Sequence, residues 1–128
     1  MGRQAIDCSA LAPAIGPYSH AVRAGDTLYV SGTIPVEPVT GEVVGGSVAD
    51  QTERVLESLR ILLESEGLSL GDVVKTTVFL SDMTCFTEMN EVYGRYFVQA
   101  PPARSTVAVL GLPKGVDVEI DCIAVYPE

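Results

Sequence analysis

Residues 116–126 alternate and then stop alternating. Val116, Val118, Ile120 and Cys122 fall on one side of an extended chain, and Asp117, Glu119 and Asp121 on the other. From Ile123 onward both sides are apolar. A period of two predicts a β-strand, half exposed at its start and covered on both faces at its end. Whatever sheet holds this strand needs cover on two sides over part of its area, and the rest of the chain must be read against that demand.

The other segments supply a sheet and two helices. Ala21–Arg23 and Thr27–Val30 read as strands around a Gly25-Asp26 turn. Ser31 to Pro35 leaves the second strand, and the turn-rich stretch from Pro38 to Gly46 carries a short strand at Glu42–Val44. Ser47 is an N-cap candidate with Asp50 three residues on, and Gly67 is a stop signal. Between them Val48, Val55, Leu56, Leu59, Leu62 and Leu63 form one apolar stripe at helical spacing. The β-branched run Val73–Leu80 reads as a central strand. A second helix is expected from Asp82 or Thr84 to about Val98, with Phe86, Met89, Tyr93 and Phe97 inward, and Pro101-Pro102 ends it. Ser105–Leu110 completes the strands.

The order ββ(β)αβαββ predicts an α+β layer fold: a mixed β-sheet with two helices on one face. The 128 residues suit one domain spanning 1–128. Both helices are then spent on one face of the sheet. A bare apolar face associates, so an oligomer is expected from element counting.

Charge narrows the function. With 8 basic and 17 acidic residues the formal net charge is −9, which repels phosphate backbones and anionic membrane surfaces. Nucleic acid is therefore not expected as a partner, while a small anion held by one local Arg stays open. Cys8, Cys85 and Cys122 are an odd set without a CxxC pair, which suits free core thiols in a reducing compartment. No signal-peptide pattern and no membrane-length apolar run is present, so a cytoplasmic protein is expected. A single histidine, His20, makes a His-based metal site unexpected, and it reads as a plain surface or turn residue.

Several residues stand out for chemistry. Arg104 follows Pro101-Pro102-Ala103, which fix the approach of the chain, so its guanidinium can hold a carboxylate or sit in a structural ion pair. Glu119, in the polar run of the last strand, is either a tuned acid or base or part of a solvated face. Asn90 falls on the apolar stripe of the second helix and must be hydrogen-bonded there, to a ligand or to backbone. Tyr18 after Gly16-Pro17 either shields a pocket or fills a core gap. Ser31-Gly32 offers a hydroxyl and an N–H to an anion, or marks an ordinary turn.

The words of the chain resemble the reactive-intermediate deaminase family, also called the YjgF, UK114 or L-PSP family. The resemblance rests on Ala14-Ile15-Gly16-Pro17-Tyr18-Ser19, Ser31-Gly32-x-Ile34-Pro35, Gly41-Glu42 with Gly45-Gly46, Gln51-Thr52 with Val55-Leu56, Val73–Leu80, Asn90-Glu91-Val92-Tyr93 with Tyr96-Phe97, Pro102-Ala103-Arg104-Ser105, and Leu112-Pro113-Lys114-Gly115 with Val118-Glu119-Ile120. These are collinear from Ala14 to the C-terminus. The resemblance implies a chorismate-mutase-like homotrimer with a central β-barrel and sites in the clefts between subunits. It implies hydrolysis of 2-imino and enamine acids to 2-keto acids and ammonia, with no metal and no organic cofactor. By position, Arg104 would clamp the substrate carboxylate and Glu119 would position or activate water. Tyr18, Ser31, Gly32 and Asn90 would line the pocket. Two positions depart from the family. Thr106 stands where well-known members carry Cys, so a hydroxyl and not a thiol would hold water there. His20 and Thr33 stand where many members carry Gln. Rival readings are an endoribonuclease or translation inhibitor, and a non-catalytic module that binds keto acids or a protein.

Overall fold

The computed structural model describes residues 2–128. The elements are β1 (Arg3–Ile6), β2 (Ala21–Ala24), β3 (Thr27–Thr33), α1 (Val48–Ser65), β4 (Val73–Leu80), α2 (Phe86–Tyr96), β5 (Ala103–Ala108) and β6 (Val118–Val125). The strands form one mixed sheet in the order β1-β2-β3-β6-β4-β5. Only β4 and β5 run parallel, and the long return through α2 is what parallel neighbours require.

α1 forms where its stripe and caps place it. The Ser47 hydroxyl accepts from Asp50 N, and the Asp50 carboxylate accepts from Ser47 N, so the capping box is complete. At the other end Gly67, at φ +74°, turns the chain so that Leu68 N reaches back to Leu63 O at 2.8 Å. The buried face of α1 carries Val55, Leu56, Leu59, Leu62 and Leu63. α2 lies against α1, and its Tyr93 hydroxyl bonds the Thr76 hydroxyl of β4 at 2.7 Å.

Both helices cover the sheet face that carries Leu28, Val78, Leu80, Val118, Ile120 and Ala124, all fully buried. The α+β architecture with two helices on one face stands as expected. On the opposite face Tyr29 pairs with Ile123, and Phe79 pairs with Val107. Tyr29 is 50% exposed and Val107 41%. That face has no layer over it among the described residues.

The structure differs from the expectation in five places. β1 is an extra edge strand, paired with β2 through Arg3↔Ala24 to Ile6↔Ala21. Only Ile6 of its four residues is buried, so it leaves no alternation to read. The second strand runs on to Thr33 through a bulge between Val30 and Thr33, so Ser31 and Gly32 lie in the strand and not after it. The Glu42–Val44 strand is reduced to one bridge between Val36 and Val43. α2 starts at Phe86, after a 3-10 turn at Met83–Cys85 capped by Asp82, and ends at Tyr96. β5 starts at Ala103, because pairing with β4 begins at Lys75↔Ala103, and stops at Ala108. No described helix is long and apolar enough to cross a membrane.

Candidate active site

The singled-out residues fall into two groups on opposite faces of the sheet. The first lies where β5 passes α2. Arg104 is paired with Thr76 in the parallel ladder, and Thr76 is buried under the helices, so Arg104 points to the helical face. Its Nη1 donates to Asn90 Oδ1 at 2.7 Å. The guanidinium carbon lies 4.7 Å from the centre of the Tyr93 ring and 5.6 Å from that of Phe86. Both distances are within cation–π range, so the two rings and Asn90 together favour this position of the guanidinium.

Arg104 has no carboxylate partner among the described residues. The ion pairs there are Arg60 with Glu57 and Glu64, and Arg95 with Glu91. In a chain with 17 acidic side chains Arg104 forms no ion pair within its own chain among the described residues. Arg104 gives one hydrogen bond to a neutral amide, and its other N–H groups have no side-chain partner among the described residues. Asn90 is exposed, not buried in the apolar stripe as expected; it stands at the edge of that stripe and meets Arg104 there. Thr106, two residues along β5, shares the helical face through its pairing with Val78. Its Oγ1 is buried and has no hydrogen-bond partner among the described residues.

The second group surrounds Glu119 on the uncovered face. Glu119 pairs with Phe79 of β4, one step out of phase with the buried Val118 and Ile120. Its carboxylate lies over the Cα of Gly32. A Cβ built at residue 32 would overlap Glu119 Oε2 and stand 2.8 Å from its Cδ. Glu119, Gly32, Ser31, Tyr18, Ile15, Ile34 and Pro113 line a cavity of about 340 Å³. Burial pushes the Glu119 carboxyl above the usual carboxylate range, and Asp121 beside it adds to the rise.

The chain segment 8–20 forms one wall of that cavity. Ser31 Oγ donates to Ser19 O at 2.6 Å, and Ser31 N donates to His20 O at 3.0 Å, so Ser31 first fixes the segment. His20 is no plain surface residue. Cys8 N donates to its Nδ1 at 2.9 Å, and Nε2 lies 2.8 Å from Ala12 O. A backbone donor at Nδ1 puts the proton on Nε2, so a neutral imidazole ties both limbs of the segment together. Only the twelve-residue separation of Cys8 and His20, closed by folding, creates this clamp; nothing in the local sequence announces it.

Within one chain the sheet itself separates Arg104, Asn90 and Thr106 from Glu119, Gly32, Ser31 and Tyr18. β4 stands between β5 and β6, and the two groups face opposite ways. A molecule the size of a three- or four-carbon acid cannot touch both groups of one chain.

Residues 9–126 match the profile of a family described as Endoribonuclease L-PSP. A RutC family protein of Pyrococcus horikoshii is 53% identical over 110 residues, covering 86% of this chain and 87% of the relative. The mouse 2-iminobutanoate/2-iminopropanoate deaminase is 42% identical over 123 residues, covering 96% and 91%. The crystal structure of the Escherichia coli YjgF gene product superimposes with a TM-score of 0.90 at 42% identity, covering 97% of this chain and 99% of that one.

Proposed function

The chain belongs to the Endoribonuclease L-PSP family, the reactive-intermediate deaminase or YjgF group, and from that premise we propose that it hydrolyses 2-imino and enamine acids such as 2-aminoacrylate, 2-iminopropanoate and 2-iminobutanoate. The observation that carries the reading is the Arg104 guanidinium, without a carboxylate partner among the described residues of an acidic chain and positioned by Asn90 and the Tyr93 ring. It suits a carboxylate, and a single small one.

In this reading the site is completed by two copies of the chain. One supplies Arg104, Asn90 and Thr106; its neighbour supplies Glu119, Gly32, Ser31 and Tyr18. The uncovered sheet face with Tyr29, Phe79, Ile123 and Val107 supports a homotrimer whose sheets close around a central barrel. Arg104 holds the substrate carboxylate. Glu119 orients water at C2. As the water oxygen bonds to C2 the C=N π bond opens and the nitrogen takes one water proton. The second water proton passes through the Glu119 carboxylate to the nitrogen, and the C–N bond breaks as C=O forms, releasing ammonia and the 2-keto acid. A carboxyl with a raised pKa suits the transfer of that proton near neutral pH. The Thr106 hydroxyl holds a water where a thiol would stand in other members. The mouse relative named for this deaminase activity supports the assignment.

The test is release of keto acid and ammonia from freshly generated 2-iminopropanoate and 2-iminobutanoate, with wild type and Arg104→Ala side by side. The reading expects a fast wild type and a variant at the uncatalysed rate. Equal, uncatalysed rates from both proteins would falsify it and leave a binding module. RNA cleavage that survives Arg104→Ala and repeated purification would move the assignment to a ribonuclease, against which the net charge of −9 stands.

A further inference from the structure

Residues 7–20 join β1 to β2 without forming helix or strand. No ladder holds them, so their few ties to the body of the protein decide where they sit. At the far end Ser31 bonds Ser19 O and His20 O. At the near end Cys8 Sγ lies 3.6 Å from Ser65 Oγ of α1. Within residues 12–18, the contact of Ala12 O with His20 Nε2 is the one hydrogen bond among the described residues that leaves the stretch. Ile15 and Tyr18 belong to this stretch, and both line the Glu119 cavity.

The two partners of the His20 ring are opposite in kind. The Cys8 N–H is a donor and needs a bare Nδ1, 2.9 Å away. Ala12 O is an acceptor and needs a proton on Nε2, 2.8 Å away. Only the neutral imidazole with its proton on Nε2 serves both. An imidazolium carries a proton on each nitrogen, so two donors would face each other between Nδ1 and Cys8 N. The ring or the segment must then move. His20 is partly exposed, so protons reach it. The ring stands on the wall of a cavity between the segment and α1, where Lys114 and Tyr18 are the other titratable groups. α1 contributes the uncharged Ser58 and Leu62, and Glu119 lines the neighbouring cavity instead. Among the described residues no carboxylate on that wall is placed to hold an imidazolium where it is.

We propose that His20 is a positioning residue: its neutral ring holds the wall carrying Ile15 and Tyr18 against the Glu119 cavity, and a second proton on the ring releases that wall. Among side chains, imidazole is the one that gains a proton on mild acidification. Once released, Ile15 and Tyr18 no longer keep water from the cavity, and substrate binds more weakly. The wall serves binding and not proton transfer, so the loss falls on KM more than on kcat. This catalytic consequence rests on the imine-hydrolase reading; the clamp itself does not.

The chain has one histidine, so isotopic labelling of histidine nitrogen gives a single ring whose two NMR signals report tautomer and charge. Hydrogen exchange of the peptide spanning residues 8–18 is followed beside it from neutral to mildly acidic pH, in wild type, His20→Gln and His20→Phe. A glutamine amide can accept from Cys8 N and donate to Ala12 O but takes no second proton, and phenylalanine can do neither. The proposal expects the proton on Nε2 alone at neutral pH. When the ring gains its second proton, exchange of the wild-type segment, corrected for the intrinsic effect of pH, should rise roughly tenfold or more, as the loss of two hydrogen bonds implies. His20→Gln should stay slow throughout, and His20→Phe should be fast throughout. On 2-iminobutanoate, wild-type kcat/KM divided by that of His20→Gln should fall roughly tenfold over the same range, through KM. The ratio cancels the titration of Glu119, which both proteins share. A neutral ring with its proton on Nδ1, a doubly protonated ring with unchanged exchange, a ring that stays neutral until the whole protein unfolds, or a constant kinetic ratio overturns the proposal. Absence of any imine turnover overturns the proposed function instead, and the exchange measurement still decides the clamp.

Discussion

The carboxylate of Glu119 occupies the space that a side chain at residue 32 would need. The ideal Cβ of residue 32 meets Glu119 Oε2 and lies 2.8 Å from Cδ, closer than carbon atoms approach without a shift. Gly32 is therefore required by Glu119 and not by its own backbone, since its φ is not in the left-handed region.

Gly32→Ala should push Glu119 off the cavity. Because a half-exposed side chain can swing aside, stability should change by no more than about 1 kcal/mol and the fold should stay intact. Imine turnover should fall at least roughly tenfold, because a displaced carboxylate no longer orients water. Thermal melts with steady-state kinetics on one preparation check it; a variant with wild-type turnover would show that Glu119 needs no fixed position.

Arg104→Ala and Glu119→Gln should each be inactive alone and recover when mixed. Arg104 and Glu119 of one chain face opposite ways, and in the proposed function each complete site draws on two chains. Random co-refolding in equal amounts leaves about a quarter of the sites with both intact groups, hence about a quarter of wild-type activity. Kinetics before and after co-refolding read this directly, and no recovery would place both groups of a site in one chain. Asn90→Ala should be milder than Arg104→Ala, because Asn90 aims the guanidinium through one hydrogen bond and does not supply its charge.

Glu119 should make the protein lose stability as pH rises. Its folded pKa is raised by burial and by Asp121, so the native state holds the proton more tightly than the unfolded chain does. In the window between the unfolded and the folded value the native state binds more protons, and stability falls as pH rises through that window. Glu119→Gln should remove this slope and gain relative stability above the window. Urea melts of both proteins from mildly acidic to neutral pH measure it; parallel curves would mean that Glu119 titrates alike in both states.

The native protein should show one reactive thiol. Cys122 is buried and its thiol is pushed up to about 12 by burial, with Asp121 adding to the shift. Cys8 is buried with its Sγ 3.6 Å from Ser65 Oγ, while Cys85 is partly exposed at the start of α2. A disulfide exchange reagent should titrate Cys85 rapidly and the other two only in denaturant. Fast labelling of Cys122 would contradict the burial seen here.

Much of the fold was legible because the signals were local. Ser47, Asp50 and Gly67 mark both ends of α1, and its stripe repeats at helical spacing inside a single segment. β4 is a run of β-branched residues, and the phase of β6 follows from a strict alternation between Val118 and Cys122. β1 left no such trace, because three of its four residues are exposed and its strand geometry comes from pairing with β2. Asn90 was expected inside the apolar stripe and lies outside it, since a few tens of degrees on a helix separate buried from exposed.

The sequence by itself determined which segments become helix and strand, that one sheet face would lack cover, and which side chains are fit to hold a carboxylate or move a proton. These depend on residue type and short-range period. Tertiary structure decided where those side chains meet. The register Thr76↔Arg104 turns the guanidinium toward α2, and Phe79↔Glu119 turns the carboxylate the other way. His20 becomes a clamp only when Cys8 and Ala12 fold onto its two nitrogens. Register and loop closure are set by long-range pairing, and a shift of one residue would exchange the two faces.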